Sequence, residues 1–222
     1  MIESSNERRD SRLAKVTRIW ERFAGVPSTS RAAEYYREAL FPECPDQEEL
    51  LKSLENKVVI DIGSGLTHEN PYSLINVAAR EKKSNILFLG IEPKVGGKTQ
   101  KFNIGDRLGL LWYKLRSKDT ANLRDTPGQK MAIAAHVPGI PLPDKSVDVI
   151  LSNAVIGTWV TDPQKLLEIF KDFNEVLNKK GEIRINSFFP KMFDAENELG
   201  NYIREHFVIE SPGNSLIIFK KK

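Results

Sequence analysis

Asp61, Gly63 and Gly65 stand together in "VVIDIGSG" (58–65), and Glu92 closes "LFLGIEP" (87–93). The first stretch runs β-branched residues into an acid and then a Gly-Ser-Gly turn. A carboxylate there can attract an ammonium group, directly or through water. The two glycines permit a tight reversal and let backbone approach a ligand with no Cβ in the way. A carboxylate at the end of the next strand can accept hydrogen bonds from both hydroxyls of a ribose. Together these residues describe a seat for a nucleoside with an amino-acid end.

The turn also discriminates between ligands. A dinucleotide fingerprint places a third glycine where His68 stands, so that a helix N-terminus can face the pyrophosphate. Here Thr67 to Asn70 delay the helix until Pro71, and proline removes an amide donor from its first turn. NAD is therefore the weaker reading. A phosphate-free cofactor such as S-adenosylmethionine suits the looser turn, its ammonium toward Asp61 and its carboxylate toward the backbone amides. Taken alone, Asp-Xaa-Gly-Xaa-Gly also serves as plain turn chemistry, and Glu92 alone as a solvated acid at a strand end. The two carboxylates carry weight jointly.

The elements that must position these residues alternate. Apolar runs predict strands over Lys57 to Ile62, Asn85 to Ile91, Lys130 to Ala135, Val147 to Ser152 and Glu182 to Phe188. A helix is expected from Pro71 to Arg80 with Asn70 as N-cap. Another opens at Asp162-Pro163 and stops at Lys179, Lys180 and Gly181, cations in the last turn and a glycine beyond it. Ala195 to Phe207 reads as a helix. Phe207 to Glu210 and Ser215 to Lys220 read as a closing hairpin. Ahead of this pattern the apolar spacing predicts helices at Leu13 to Phe23, Arg31 to Leu40 and Asp46 to Leu54. Strands apolar on both faces, alternating with helices, predict a mostly parallel α/β sheet wrapped on both sides, with an antiparallel strand at one edge.

The stretch "IPLPDKSVDVILSNAVIGTWVTDPQKLLEIFKDFNEVLNKKGEIRI" (140–185) resembles the middle of the class I S-adenosylmethionine-dependent methyltransferases, above all small-molecule and quinone methylating enzymes. The matching pieces are Ile140 to Asp144, Val147-Asp148, Asp162-Pro163, Val176-Leu177 and Lys180-Gly181. With "VVIDIGSG" and "LGIEP" the similarity spans Lys57 to Phe188. It implies a Rossmann-like, doubly wound, mostly parallel seven-stranded sheet with a C-terminal antiparallel hairpin strand behind N-terminal helices. It also implies that Asp61, Gly63, Ser64 and Gly65 line the methionine end of the cofactor and that Glu92 holds the ribose. Asn153 and Ala154 would face the sulfonium and its methyl group. His136 stands where the family often has an acid for the adenine amine, so adenine would turn to His136 or to backbone. The turn after strand four lacks the histidine that many relatives carry near Thr158.

Bulk properties agree with one such domain. The 222 residues are 40% hydrophobic and 28% charged, enough for a packed core. The division expected is a helical extension or cap over residues 1–55 and a cofactor-binding domain over 56–222. One cysteine and three histidines make a zinc cluster improbable, and no metal is expected. The polar start has no apolar segment for a signal peptide, and no run is long enough to span a bilayer, so a cytoplasmic protein is expected. The net charge of +3 does not by itself announce nucleic acid.

An insert at about 93–129 is too long for a single helix. Residues 94–130 hold nine Lys/Arg against three Asp. This segment reads either as a basic, aromatic surface for an anionic substrate or nucleic acid, or as an amphipathic cap at Leu108 to Leu115 with solvated cations. The cap is preferred. Methyl transfer needs alignment and exclusion of water more than a catalytic triad. The catalytic residue is thus not legible, and a base, where the acceptor needs one, has His68, His136 and Asp162 as candidates. The resulting expectation is an S-adenosylmethionine-dependent methyltransferase for a small-molecule acceptor. A nucleic-acid methyltransferase and a non-catalytic cofactor-binding module are the alternatives.

Overall fold

The computed structural model describes residues 32–64, 73–81, 86–91, 131–133, 135–213 and 215–222. In chain order the elements are α1 (Ala33–Leu40), α2 (Gln47–Ser53), β1 (Val58–Ile62), α3 (Leu74–Arg80), β2 (Leu87–Ile91), β3 (Met131–Ile133), β4 (Val147–Asn153), α4 (Pro163–Val176), β5 (Leu177–Asn186), a 3-10 turn (Pro190–Asp194), α5 (Glu198–His206), β6 (Phe207–Glu210) and β7 (Leu216–Lys221). The expected helix at Leu13 to Phe23, the Asn70 cap and the insert at 93–129 lie outside the described residues.

The strands form one sheet in the order β3-β2-β1-β4-β5-β7-β6. β1 to β5 pair in parallel, and β7 runs antiparallel between β5 and β6. β1 leads outward to β2 and β3, and the chain then returns to place β4 on β1's other side. Strand order therefore reverses between β1 and β4, where open sheets of this kind leave a crevice beyond their carboxyl ends.

Alternation along the strands divides the core in two. Ile60, Leu89, Ile150, Ile183, Ile217 and Phe219 pack with α4 and α5. Val59, Phe88, Val149, Leu151, Leu216 and Ile218 pack with α1, α2 and α3. This is the two-sided wrapping expected of apolar runs with no polar face. On the first face Phe170 of α4 is an aromatic hub, its ring centroid 5.0 Å from Phe219, 5.8 Å from Phe173 and Phe193, and 6.0 Å from Phe207. Tilted and edge-on rings suit the aromatic quadrupole better than flat stacking.

α4 begins as expected. Asp162 caps it, its Oδ1 accepting from the Lys165 amide at 2.8 Å, and Pro163 takes the first position. Its end is a correction. The helix stops at Val176, and Leu177 already pairs with Val147, so Lys179, Lys180 and Gly181 lie within β5 and not in the last helical turn. The register then jumps, Val149 pairing with Glu182, and Asn178 to Gly181 bulge out. Asn178 stabilises the bulge by bonding Asp148 and by accepting from the Lys180 amide at 2.9 Å. The cation that serves the helix end comes from far along the chain. Lys221 of β7 donates to the carbonyls of Asn174 and Leu177. Burial there pushes its ammonium below the usual lysine range. β5 likewise ends at Asn186, two residues short of the expected Phe188. α5 starts at Glu198, three residues after the expected Ala195, because Asn197 caps it by accepting from the Gly200 amide at 2.9 Å.

α1 and α2 pack on the sheet's second face. Arg184 of β5 is the main polar anchor. Its guanidinium donates to the Leu40 carbonyl at 2.7 Å, to Glu43 at 2.5 Å and to Glu182 at 2.7 Å, and lies 4.2 Å from the centre of the Phe41 ring. Burial works against the charged form, but the carboxylates of Glu182 and Glu43 outweigh it and hold the group above its usual range.

Candidate functional site

Buried polar side chains among the described residues are Asp61, Ser64, Ser73, Asn76, Ser152, Arg184, Asn186 and Ser187. All but Arg184 sit at the carboxyl ends of β1, β4 and β5 or in the turns and helix start beyond them. Polar groups are buried at a cost unless they are bonded. Their collection at one edge of the sheet, around the point where strand order reverses, marks the candidate site.

Asp61, Gly63 and Ser64 come together with Asn153 and Ala154, because Ile62 at the end of β1 pairs with Ser152 near the end of β4. Asp61 lies on the α1 face and is 8% exposed. Its Oδ2 accepts a hydrogen bond from the Tyr36 hydroxyl at 2.6 Å. Its neighbour in β2 is Gly90, which puts no side chain beside it.

The glycine turn departs from expectation in two respects. Gly63 has φ +69°, and a Cβ there would meet Val155 Cγ2 at 2.4 Å. The space kept open by this glycine is filled by the turn after β4, so close packing of two loops requires glycine here. Its amide also donates to the Ile91 carbonyl at 2.8 Å. That amide is committed to the end of β2, and a ligand carboxylate would use donors further along the turn. Gly63→Ala is expected to destabilise the protein by about 2 kcal/mol, from the left-handed backbone and the clash combined. Chemical denaturation of Gly63→Ala and of Gly63→Ala with Val155→Ala checks this. The second substitution should restore the clash component and leave the backbone component.

The turn after β4 is tightly built. The Ala154 amide donates to the Asn186 carbonyl at 2.9 Å, and Asn186 Nδ2 donates to Asn153 Oδ1 at 3.2 Å. Ser152 Oγ accepts from the Ile156 amide at 3.1 Å. Ser187 Oγ donates to the Gly157 carbonyl at 2.8 Å and accepts from the Phe189 amide at 3.0 Å. Ala154 and Gly157 both have positive φ, +57° and +74°. Ser152, Asn186 and Ser187 thus hold the segment that carries Asn153 and Ala154. Beyond the same strand ends the aromatic side chains of Trp159, Phe188 and Phe189 are exposed, Phe188 to 63%.

His136 stands on the β3 side of the same sheet edge. It is exposed, beyond β3, two strands from β1. Its loop is held from α4, where Asp172 Oδ2 accepts from the Gly139 and Ile140 amides at 2.9 and 3.0 Å. Asp162, named as a candidate base, is instead the N-cap of α4, its carboxylate engaged with the helix. Gly65, His68 and Glu92 lie outside the described residues, as does the basic segment 94–130 on which the nucleic-acid alternative rests.

Asn186 and Ser187 escaped the sequence reading, and Tyr36 stood in it only as bulk of a front helix that could close over the cofactor, with core packing the commoner fate. Tyr36 sits in an ordinary apolar stripe, and nothing in its surroundings in the chain distinguishes its hydroxyl from that of Tyr35. Asn186 and Ser187 follow an apolar strand end, where polar residues are common.

No family model matches the chain, and no curated protein matches it. Solved structures do. It is similar to the PH0226 protein of Pyrococcus horikoshii OT3, at 12% identity over 94% of this chain and 99% of that one, with a TM-score of 0.50. It is similar also to a SAM-dependent methyltransferase from Aquifex aeolicus, at 16% identity over 84% and 91% with a TM-score of 0.43. A SAM-dependent methyltransferase structure from Methanosarcina mazei matches at 14% over 78% and 96%, with a TM-score of 0.45. What the PH0226 protein shares with this chain is the fold. Among the described residues no helix is long and apolar enough to cross a membrane.

Proposed function

We propose that the protein is an S-adenosylmethionine-dependent methyltransferase acting on a small-molecule acceptor. The observation that carries this reading is Asp61, a buried carboxylate at the carboxyl end of β1, set where strand order reverses and followed at once by a positive-φ glycine turn. A buried carboxylate suits an ammonium group and repels a phosphate. Asp61 would hold the cofactor's ammonium, and Ser64 and Gly65 would offer the turn beyond it. Glu92 would take the ribose and His136 the adenine edge. Asn153 and Ala154, fixed by Asn186, would set the wall against which the reacting centre lies. When bound, the cofactor supplies an electrophilic methyl group. The chain's own part is to orient two molecules in line and to keep water out. Trp159, Phe188 and Phe189 offer apolar faces for an acceptor beside that wall.

Thermal unfolding with S-adenosylmethionine, S-adenosylhomocysteine and NAD tests this. A ligand at 100 times its dissociation constant adds about 2.7 kcal/mol, a rise of about 5–10 °C for a chain of this size. The expected result is a rise with both sulfur nucleotides and none with NAD. A rise with NAD alone would overturn the proposal.

A further inference from the structure

From the row of residues that crosses the sheet beneath α1, we infer that Tyr36 is a positioning residue for Asp61 and that α1 is a wall of the ligand site, an inference that rests on the function proposed above. Asp61 of β1 pairs with Leu151 of β4, which pairs with Arg184 of β5, so the three occupy one register row on one face. Neighbouring strands lie ~4.8 Å apart, which puts Asp61 and Arg184 ~10 Å apart along this row. α1 spans it. At its C-terminal end the Leu40 carbonyl receives Arg184 at 2.7 Å, and one turn earlier the Tyr36 hydroxyl reaches Asp61 at 2.6 Å. A helix braced between a buried cation and a buried carboxylate has little freedom to slide.

The hydroxyl is more than packing requires. The Tyr36 ring is 4% exposed within an apolar cluster, where phenylalanine would fill the same volume. The oxygen adds a short, charge-assisted bond to one carboxylate oxygen, and such a bond fixes the plane of the group as well as its place. Asp61 would then meet an ammonium already oriented, and less side-chain freedom is lost on binding. Arg184 acts one step further back, through the position of α1.

A double-mutant cycle on S-adenosylhomocysteine binding, measured by calorimetry on the full chain, decides the matter. Tyr36→Phe keeps the ring and should leave the ligand-free melting temperature within a few degrees. It should weaken binding about tenfold, the ordinary effect of losing a hydrogen bond to a charged group. In the Asp61→Ala background the same change should cost less than twofold, because a residue that acts through Asp61 has nothing left to position. A Tyr36→Phe protein that binds within twofold of the native one would overturn the inference. So would a tenfold loss that persists in full without Asp61. Failure of the native protein itself to bind S-adenosylhomocysteine would instead remove the reading beneath it, and the two failures are told apart by that one titration.

Discussion

Asp61→Ala is expected to weaken S-adenosylhomocysteine binding by about 100-fold or more, and with it to abolish the ligand-induced rise in melting temperature. Removing one partner of a buried, hydrogen-bonded charge pair at a binding site costs about 2–5 kcal/mol, and each 1.4 kcal/mol is tenfold in affinity. The argument depends on burial. At 8% exposure the Asp61 carboxylate is poorly screened by water, so its attraction for a cation is worth far more than that of a surface acid. The same substitution takes away the acceptor that Tyr36 uses at 2.6 Å, which should lower the stability of the free protein by about 1–3 kcal/mol. Asp61→Asn separates the two effects. It keeps an oxygen for the Tyr36 hydroxyl and nearly the same shape, so most of the free protein's stability should return while binding stays weak. Calorimetric titration well below the melting temperature of each variant measures affinity without contamination from unfolding. Binding by Asp61→Asn within about twofold of native would show that the charge of Asp61 has no part in holding ligand.

Arg184→Ala is expected to destabilise the free protein by about 3 kcal/mol, lowering the melting temperature by about 6–12 °C. Deleting a buried cation strands its partners, and that penalty commonly reaches 3–5 kcal/mol. Here the lower end applies, because the Glu43 side chain is 52% exposed and can return to water, whereas that of Glu182 is only 17% exposed. The Leu40 carbonyl at the end of α1 loses its donor, and Phe41 loses the guanidinium lying over its ring. Arg184→Lys should fall between. It keeps the charge but cannot reach Leu40, Glu43 and Glu182 together, because an ammonium has no planar fork. Urea unfolding followed by circular dichroism checks the order native, Lys, Ala. A loss below about 1 kcal/mol in Arg184→Ala would mean that the apolar contacts of Tyr36, Leu40 and Phe41 hold α1 on the sheet unaided.

The chain order of the elements was legible because its causes are local. An apolar run in "VVIDI" or "VDVILS" buries both strand faces whatever surrounds it, and Asp162-Pro163 caps a helix with its own side chain and ring. Asp61 was legible as an acid at the end of β1 for the same reason, since it stands between an apolar run and a glycine turn. Where α4 ends was not legible. Lys179, Lys180 and Gly181 form a sound local stop signal, but Leu177 gains a strand partner in Val147, and Lys221, 44 residues away, satisfies the helix's last carbonyls. Gly63 was read as room for a ligand, and only the approach of Val155 across the sheet shows that the packing of two turns fills that room. The contact between Tyr36 and Asp61 spans 25 residues and needs α1 to lie across β1, β4 and β5. The sequence by itself determined the order of strands and helices among the described residues, the sheet class and the acid at the end of β1, because periodicity and turn chemistry act over a few residues. The tertiary structure alone decided which hydroxyl holds that acid, which cation anchors the helix above it and why its glycine cannot change. Those depend on pairing register, through which residues far apart in the chain share one row of the sheet.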